Sequence, residues 1–410
     1  MTLIQTVREQ YEQLPYPPRD PRQELRQLHR PIASELGLAN HVIWRGHRRL
    51  DESFRALDAG CGTGDNAIFM AAQLQPMGAQ VVGIDLSEAS LSITRERAAA
   101  RGLTNITLIL GRVEDLPSLG LAPFDYAVSN GVLHHLPSPA DGLAAIRDVL
   151  KPDGGAHIMV YGQHGRSATY QLQALFRLLA PPALAAAERI RIVRDTLSTL
   201  PPTHWRELAR NGLPREVLQD ADIFDLYLHP ADRAYTVPEI HDWLAEAGMS
   251  LVRWLLPHLY SPESYSAKLD VSHLSVPERE AAAELLNSRM AKHSFFARAD
   301  SAETLAPARL DDETAIPTWL LHDANGLIRP QLEVKRELEL EIEGIQYRFL
   351  LDPFRRAFLK LVDGERPLGA IMAETEARLP KMRPGERMES WYRLYQGLEM
   401  FNLLGLFPAR

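Results

Sequence analysis

The chain has 410 residues, 45% of them hydrophobic and 24% charged, with a formal net charge of −8 and a single cysteine. That length is too great for one ordinary core and predicts two domains, and the composition is that of a globular protein. The lone cysteine excludes an internal disulfide and a multi-cysteine metal site, the acidic balance disfavours nonspecific nucleic-acid binding, and no apolar run reaches the ~18 residues of a membrane span. The first residues, Met1 to Glu9, lack the long apolar core of a secretory signal, so the expectation is a cytoplasmic protein without membrane or nucleic-acid partners.

Residues 1–50 read as a helical N-terminal lid segment. Val7 to Leu14 is helix-like, and Pro15-Tyr16-Pro17-Pro18-Arg19-Asp20-Pro21 then breaks it, because proline lacks an N–H and restricts the residue before it. A stiff segment carrying Tyr11 and Tyr16 suits a cover over a ligand site; the alternative is an ordinary surface turn. Residues 53–163 alternate strands (54–58, 80–85, 106–110, 124–129, 155–161) with helices, one of them N-capped by Ser87. That rhythm predicts a parallel α/β sheet with right-handed crossovers, and the apolar, β-branched strands suit burial on both faces. Residues 164–235 interrupt it with an apolar helical insertion, broken at Pro181-Pro182. The rhythm resumes at Thr236-Val237-Pro238-Glu239, where a capped helix begins, followed by strands at 251–255 and 293–298. Residues 301–330 lack periodicity and read as a linker. Residues 331–410 form a small α+β domain with a strand at 347–351 and helices at 353–362 and 391–404. A generic helical packing or homodimerisation domain is the alternative there.

Chemistry concentrates in Leu57-Asp58-Ala59-Gly60-Cys61-Gly62-Thr63-Gly64, between a strand end and a helix start. Glycine lets the backbone approach a nucleotide-like ligand and reach φ > 0. Asp85 ends the next strand, roughly 20 or more residues on, where an acid suits a ribose diol. The spacing is not the G-x-G-x-x-G of pyrophosphate binders, and an acid ahead of the glycines would repel a pyrophosphate. It suits an ammonium group held through water.

These residues resemble the class I S-adenosylmethionine-dependent methyltransferases, whose first motif is Asp/Glu-x-Gly-x-Gly-x-Gly. In order along the chain, Gly111-Arg112-Val113-Glu114-Asp115-Leu116-Pro117 is similar to that family's adenine-contacting segment. Phe124 to Leu136 is similar to its fourth strand and following loop, and Val149 to Gly155 to the turn before its fifth strand. The Tyr-x-x-x-Pro-Tyr-Pro segment of Tyr11, Pro15, Tyr16 and Pro17 resembles a bacterial subgroup that includes rickettsial-type protein lysine methyltransferases. The run Phe358 to Gly364 loosely resembles the small helical or winged-helix, regulatory-type domain of that subgroup. The resemblance implies a Rossmann-like, seven-stranded sheet at residues 51–300 with the last strand antiparallel between the fifth and sixth. It implies S-adenosyl-L-methionine as cofactor and the insertion as a substrate lid. It also implies that Gly60, Cys61, Gly62 and Gly64 form the close-approach turn, with Asp58 towards the methionine ammonium. Asp85 and Leu86 fall at the ribose, Val113 and Glu114 at adenine, and Asn130 beside the cofactor. Tyr11 and Tyr16 would fold over it. Arg112 departs from the acid often found at its position.

Methyl transfer from a sulfonium is an in-line displacement in which the protein supplies proximity and orientation. A weakly acidic acceptor also needs a general base. His134 and His135 follow the fourth strand, with His135 preferred because adjacent side chains cannot both face the cleft. Tyr161 and, more weakly, His164 leave the fifth strand. No H-x-x-x-H pair with a third ligand is present, so no metal is expected. The expected acceptor is an O, N or S nucleophile of a small molecule, bounded by the apolar insertion. The alternatives are a protein side chain such as lysine and, from another class, a non-catalytic cofactor-binding scaffold or sensor.

Overall fold

The computed structural model describes residues 3–210, 217–303, 305–322, 324–342, 345–379 and 382–409. Eight strands build the larger sheet: β1 (Arg55–Ala59), β2 (Gln80–Asp85), β3 (Ile106–Leu110), β4 (Phe124–Asn130), β5 (Leu150–Gly162), β6 (Ala234–Tyr235), β7 (Met249–Trp254) and β8 (Lys292–Ala299). Their order is β3-β2-β1-β4-β5-β8-β7, with β6 paired to β5. The first five run parallel, and β8 lies antiparallel between β5 and β7. This is the Rossmann-like methyltransferase sheet expected from the sequence. The strand order reverses between β1 and β4, and in an open α/β sheet that switch point opens a crevice at the carboxyl ends of the strands.

Local chemistry explains the elements. β1, β2 and β4 are almost wholly buried, as strands covered by helices on both faces must be. Helix α1 spans Leu3–Gln13, α2 spans Asp65–Leu74 and α3 spans Glu88–Ala100. The Ser87 hydroxyl accepts the Ser90 N–H at the start of α3, satisfying a donor that has no partner within the helix. The Thr236 and Glu239 pair makes a reciprocal cap at the helix Val237–Glu246. β5 is longer than expected, starting at Leu150 rather than 155.

The insertion holds helices Ser167–Leu179, Ala186–Ser198, Trp205–Arg210 and Asp220–Ile223, the last running into a π-helical turn, Phe224–Leu228. Leu172, Phe176, Val193 and Ile223 are buried together, so it has its own apolar centre. Residues 211–216 of the expected insertion lie outside the described residues.

Two compact units divide the chain: Met1–Pro31, Leu50–Trp254 and Leu259–Ala302 make the first, and Ile32–Arg49, Leu255–His258 and Glu303–Arg410 the second. The expected boundaries differ in two places. Residues 32–49, read as part of the N-terminal lid, supply the helix Leu36–Trp44 to the second unit. Nearly every residue of it is buried, so it carries no amphipathic stripe to mark it. Residues 301–330, read as a linker, hold strand β9 (Ile316–Trp319), which pairs antiparallel with a strand near the end of the chain. Around a core of Phe354, Phe358, Trp391 and Leu398, this unit adds the hairpin β10 (Glu337–Ile342) and β11 (Ile345–Leu350), and β12 (Leu404–Phe407), the partner of β9. The Trp391 indole N–H donates to the Leu310 carbonyl at 2.9 Å, which ties the supposed linker into that core.

Candidate active site

A cavity of about 440 Å³ opens at the switch point, within the size range of ligand pockets. The segments after the first four strands line it in turn: Gly60, Cys61 and Gly62; Asp85 and Leu86; Gly111 to Glu114; Asn130 to Val132. Met159 and Tyr161 of β5 extend that wall. Tyr11 and Tyr16 come from the N-terminal segment, and Asp225 and Leu226 from the insertion.

Asp85 stands at the centre. Its Oδ2 accepts the Gly62 N–H at 2.8 Å and its Oδ1 the Ser87 N–H at 2.9 Å. Burial raises its pKa, while the N–H groups of Ser87, Gly62 and Leu86 oppose that shift. Each oxygen keeps lone-pair capacity for a ligand hydroxyl. Glu114 borders the cavity but is ion-paired to Arg112 at 2.5 Å, which draws one of its oxygens away from an adenine amine. Asn130 accepts from His157 at 3.0 Å. Burial lowers the pKa of that histidine to about 3, so it is neutral and donates through Nδ1.

Several expected residues fall elsewhere. Asp58 does not border the cavity: its side chain turns to the helix side of β1, where Oδ2 accepts the Ala67 N–H of α2 at 2.9 Å. Gly64 has φ +96° and packs on α3, where a Cβ would meet the Thr94 methyl at 2.6 Å. It serves helix packing rather than ligand approach. Gly62, at φ +51°, does border the cavity, and a Cβ there would strike the Tyr16 carbonyl at 2.5 Å. Cys61 is a buried thiol whose pKa burial pushes up, the opposite of an activated nucleophile. His134 lies off the cavity with its ring 3.8 Å from that of Tyr161, buried and strongly disfavoured as a cation.

Burial pushes the Asp58 carboxyl up to about 8, against the Ala67 hydrogen bond. In an unfolded chain it titrates near ~3.9. Between those values the folded state holds a proton that the unfolded state lacks, so stability falls as pH rises through that window. Asp58→Asn mimics the protonated acid and is expected to flatten that fall in a melting-temperature series. An unchanged profile would assign the titration to another group.

The N-terminal segment is clasped across the ligand loops. Thr63 donates its N–H to the Tyr16 carbonyl at 3.2 Å and its hydroxyl to the Pro17 carbonyl at 2.7 Å. Arg19 grips Asp65 through two nitrogens, at 2.9 and 2.6 Å. Glu12 accepts the Glu88 and Ala89 N–H groups at the start of α3, and the Tyr11 carbonyl accepts from Ser87.

At the other end of the cavity, His135 Nδ1 lies 2.6 Å from the Ala231 carbonyl. A carbonyl only accepts, so the Nδ1 proton is fixed there and Nε2 carries a lone pair. The His135 ring lies 3.9 Å, centroid to centroid, from a tilted His229 ring, whose Nδ1 accepts the Ala231 N–H at 3.1 Å. The two imidazoles thus take opposite tautomers. Asp225 accepts from Tyr11 at 3.2 Å and from Tyr161 at 3.3 Å, and is buried. Asp225 and His229 were not anticipated from the sequence. The available signal was one acid inside the apolar run Ile223-Phe224-Asp225-Leu226-Tyr227-Leu228, since a buried acid demands partners.

A methyltransferase domain matches residues 50–204. An uncharacterized Synechococcus protein is 29% identical over 320 residues, 72% of each chain. The ubiquinone biosynthesis O-methyltransferase of Leptothrix cholodnii is 28% identical over 51% of this chain and 88% of its own length. The chain spans about half (53%) of the demethylmenaquinone methyltransferase of Geobacillus kaustophilus, at 36% identity over 30% of this chain. The structure of PKMT2 from Rickettsia typhi in complex with AdoHcy superposes with a TM-score of 0.64 over 93% of this chain and 76% of its own, at 14% identity. That likeness establishes the fold.

The cofactor is S-adenosylmethionine, and the donor set fits it. Asp85 offers acceptors to a diol, and acids and phenol rings rather than an arginine cluster line the cleft, which suits a sulfonium and not a polyphosphate. Asp85→Ala removes charge-assisted hydrogen bonds of ~1.5–3 kcal/mol and is expected to weaken cofactor binding by about tenfold or more with the fold intact. Unchanged affinity in calorimetry would take the ribose away from Asp85.

Proposed function

We propose that this S-adenosylmethionine-dependent methyltransferase methylates a hydroxyl oxygen of a small neutral acceptor, with His135 as the general base. The observation that carries the reading is the 2.6 Å contact between His135 Nδ1 and the Ala231 carbonyl, which leaves Nε2 as a proton acceptor on the cavity wall. When bound, the cofactor supplies a sulfonium methyl whose C–S electron pair stays on sulfur. Asp85 holds the ribose, and Gly60, Gly62 and Val113 bring the backbone close. Tyr11 and Tyr16 exclude water. His135 Nε2 takes the proton of the acceptor hydroxyl, and the Ala231 carbonyl faces the imidazolium that forms.

The name of the Leptothrix relative, an O-methyltransferase of ubiquinone biosynthesis, supports oxygen of a small molecule as the acceptor atom. The fold shared with PKMT2 keeps a protein acceptor as the second reading. Incubation of the purified chain with methyl-labelled cofactor and a panel of phenols, aliphatic alcohols, amines, thiols and lysine-bearing peptides separates them. Label on hydroxylated acceptors supports the proposal; label confined to peptides overturns it.

A further inference from the structure

The acceptor end of the cavity is rich in hydrogen-bond acceptors and short of donors. Asp225 stands on the π-helical turn of the insertion, 3% exposed. The Tyr11 and Tyr161 hydroxyl protons are both committed to it. His229 carries its proton on Nε2, which faces the Tyr11 oxygen at 3.4 Å. His135 presents a bare Nε2. Arg166, which adjoins this end, is spent elsewhere: it stacks 3.5 Å over the Tyr161 ring and pairs with Asp232 at 2.9 Å. Among the described residues no lysine or arginine forms an ion pair with Asp225. A carboxylate offers about four lone-pair sites, and two neutral phenols satisfy only half of them. A buried group left in that state is costly unless a ligand completes it.

A metal ion is the first candidate to complete it, because ligand atoms of His135, Asp225 and His229 lie within 4.8 Å of one another. The tautomers argue against it. The Ala231 N–H holds His229 Nδ1 as an acceptor, so Nε2 bears the proton and cannot ligate. The missing partners are therefore hydrogen-bond donors brought by the acceptor molecule.

We infer that the acceptor carries a second hydroxyl on the atom next to the reacting one, and that Asp225 binds this second hydroxyl. The substrate class is a vicinal dihydroxy compound, with an ortho-dihydroxyarene as its aromatic form. Two neighbouring hydroxyls, each ~2.7–2.8 Å from its acceptor, suit the His135 ring and the Asp225 carboxylate, which both border the cavity and have a ring nitrogen and an oxygen within 4.8 Å of each other. A lone hydroxyl engages His135 and leaves Asp225 with its two phenol donors alone. An ortho carboxylate sets like charges face to face. Burial raises the Asp225 pKa, and a donor from the ligand favours its charged form.

The inference rests on the oxygen-methylation reading above, and one experiment distinguishes their failures. With saturating methyl donor, kcat/KM is measured for catechol, phenol, 2-methoxyphenol and salicylate on the wild-type chain and on Asp225→Asn. Catechol is expected to exceed phenol and 2-methoxyphenol by tenfold or more, on the order of a hundredfold, the scale for a hydrogen bond to a charged group. Salicylate should be the poorest. Asp225→Asn should bring catechol down towards phenol while S-adenosylhomocysteine binding stays at the wild-type value. Equal kcat/KM for phenol and catechol on the wild type overturns the inference and leaves oxygen methylation standing. A variant in which every acceptor falls by the same factor also overturns it, because Asp225 would then only hold Tyr11 and Tyr161. Absence of label on any hydroxylated acceptor overturns the underlying reading itself. The wild-type comparison decides the question even if the variant fails to fold.

Discussion

His135→Ala is expected to lower turnover by ~10²–10⁴, the usual contribution of a positioned general base, while S-adenosylmethionine affinity stays near wild type. The separation follows from the geometry. Asp85 and the glycine loop sit at the ends of β1 and β2, whereas His135 follows β4 and is held by Ala231 near the end of the insertion. Losing the imidazole removes a proton acceptor from the acceptor end and no contact from the ribose end. His134→Ala should do much less to turnover. Its ring is off the cavity and packs against Tyr161, so its loss reads out mainly in stability. Steady-state kinetics with a phenolic acceptor, paired with calorimetry on the cofactor, checks both variants. Full activity of His135→Ala across pH would mean that positioning alone drives the reaction, with an acceptor that arrives already deprotonated.

The segments after β1 and β2 that line the cavity were legible in the sequence because their signals are local. A strand, an acid-glycine turn and a helix cap occur within consecutive residues, and each part has its own physical cause. Side-chain direction was less legible. Asp58, Gly64 and His134 belong to the right segments, but the pleat of β1, the packing of α3 and the turn after β4 aim them away from the cavity. Asp225 and His229 reach His135 from about 90 residues further along the chain, through a helical insertion whose path depends on its own apolar centre. The helix Leu36–Trp44 and strand β9 were missed for related reasons. A helix buried all round shows no stripe, and a four-residue strand is recognisable only through its distant partner β12.

Glu24→Ala is expected to be the most destabilising single change in the N-terminal segment, by ~3–5 kcal/mol, because it strips a buried ion network of its central anion. Glu24 is 2% exposed, and its two oxygens receive Arg97 Nε at 2.6 Å and Arg101 Nε at 2.5 Å. Arg97 is 1% exposed and also reaches Asp65 at 2.8 Å and the Thr63 carbonyl at 2.6 Å, while Asp65 is gripped by Arg19. Removing Glu24 therefore leaves the Arg97 guanidinium in the interior with two of its three partners and an unpaired Nε, and solvent can reach it only if the clasp opens. Opening the clasp displaces Tyr16, whose carbonyl sits on Thr63, and with it one wall of the cofactor cavity. The change should lower the unfolding midpoint, raise hydrogen exchange across residues 7–27 and weaken cofactor binding together. A double replacement, Glu24→Leu with Arg97→Met, should recover much of the midpoint, since removing both charges leaves neither unpaired. A Glu24→Ala midpoint equal to wild type, with exchange unchanged over 7–27, would show that these charges are solvated and that the clasp is held by its backbone contacts alone.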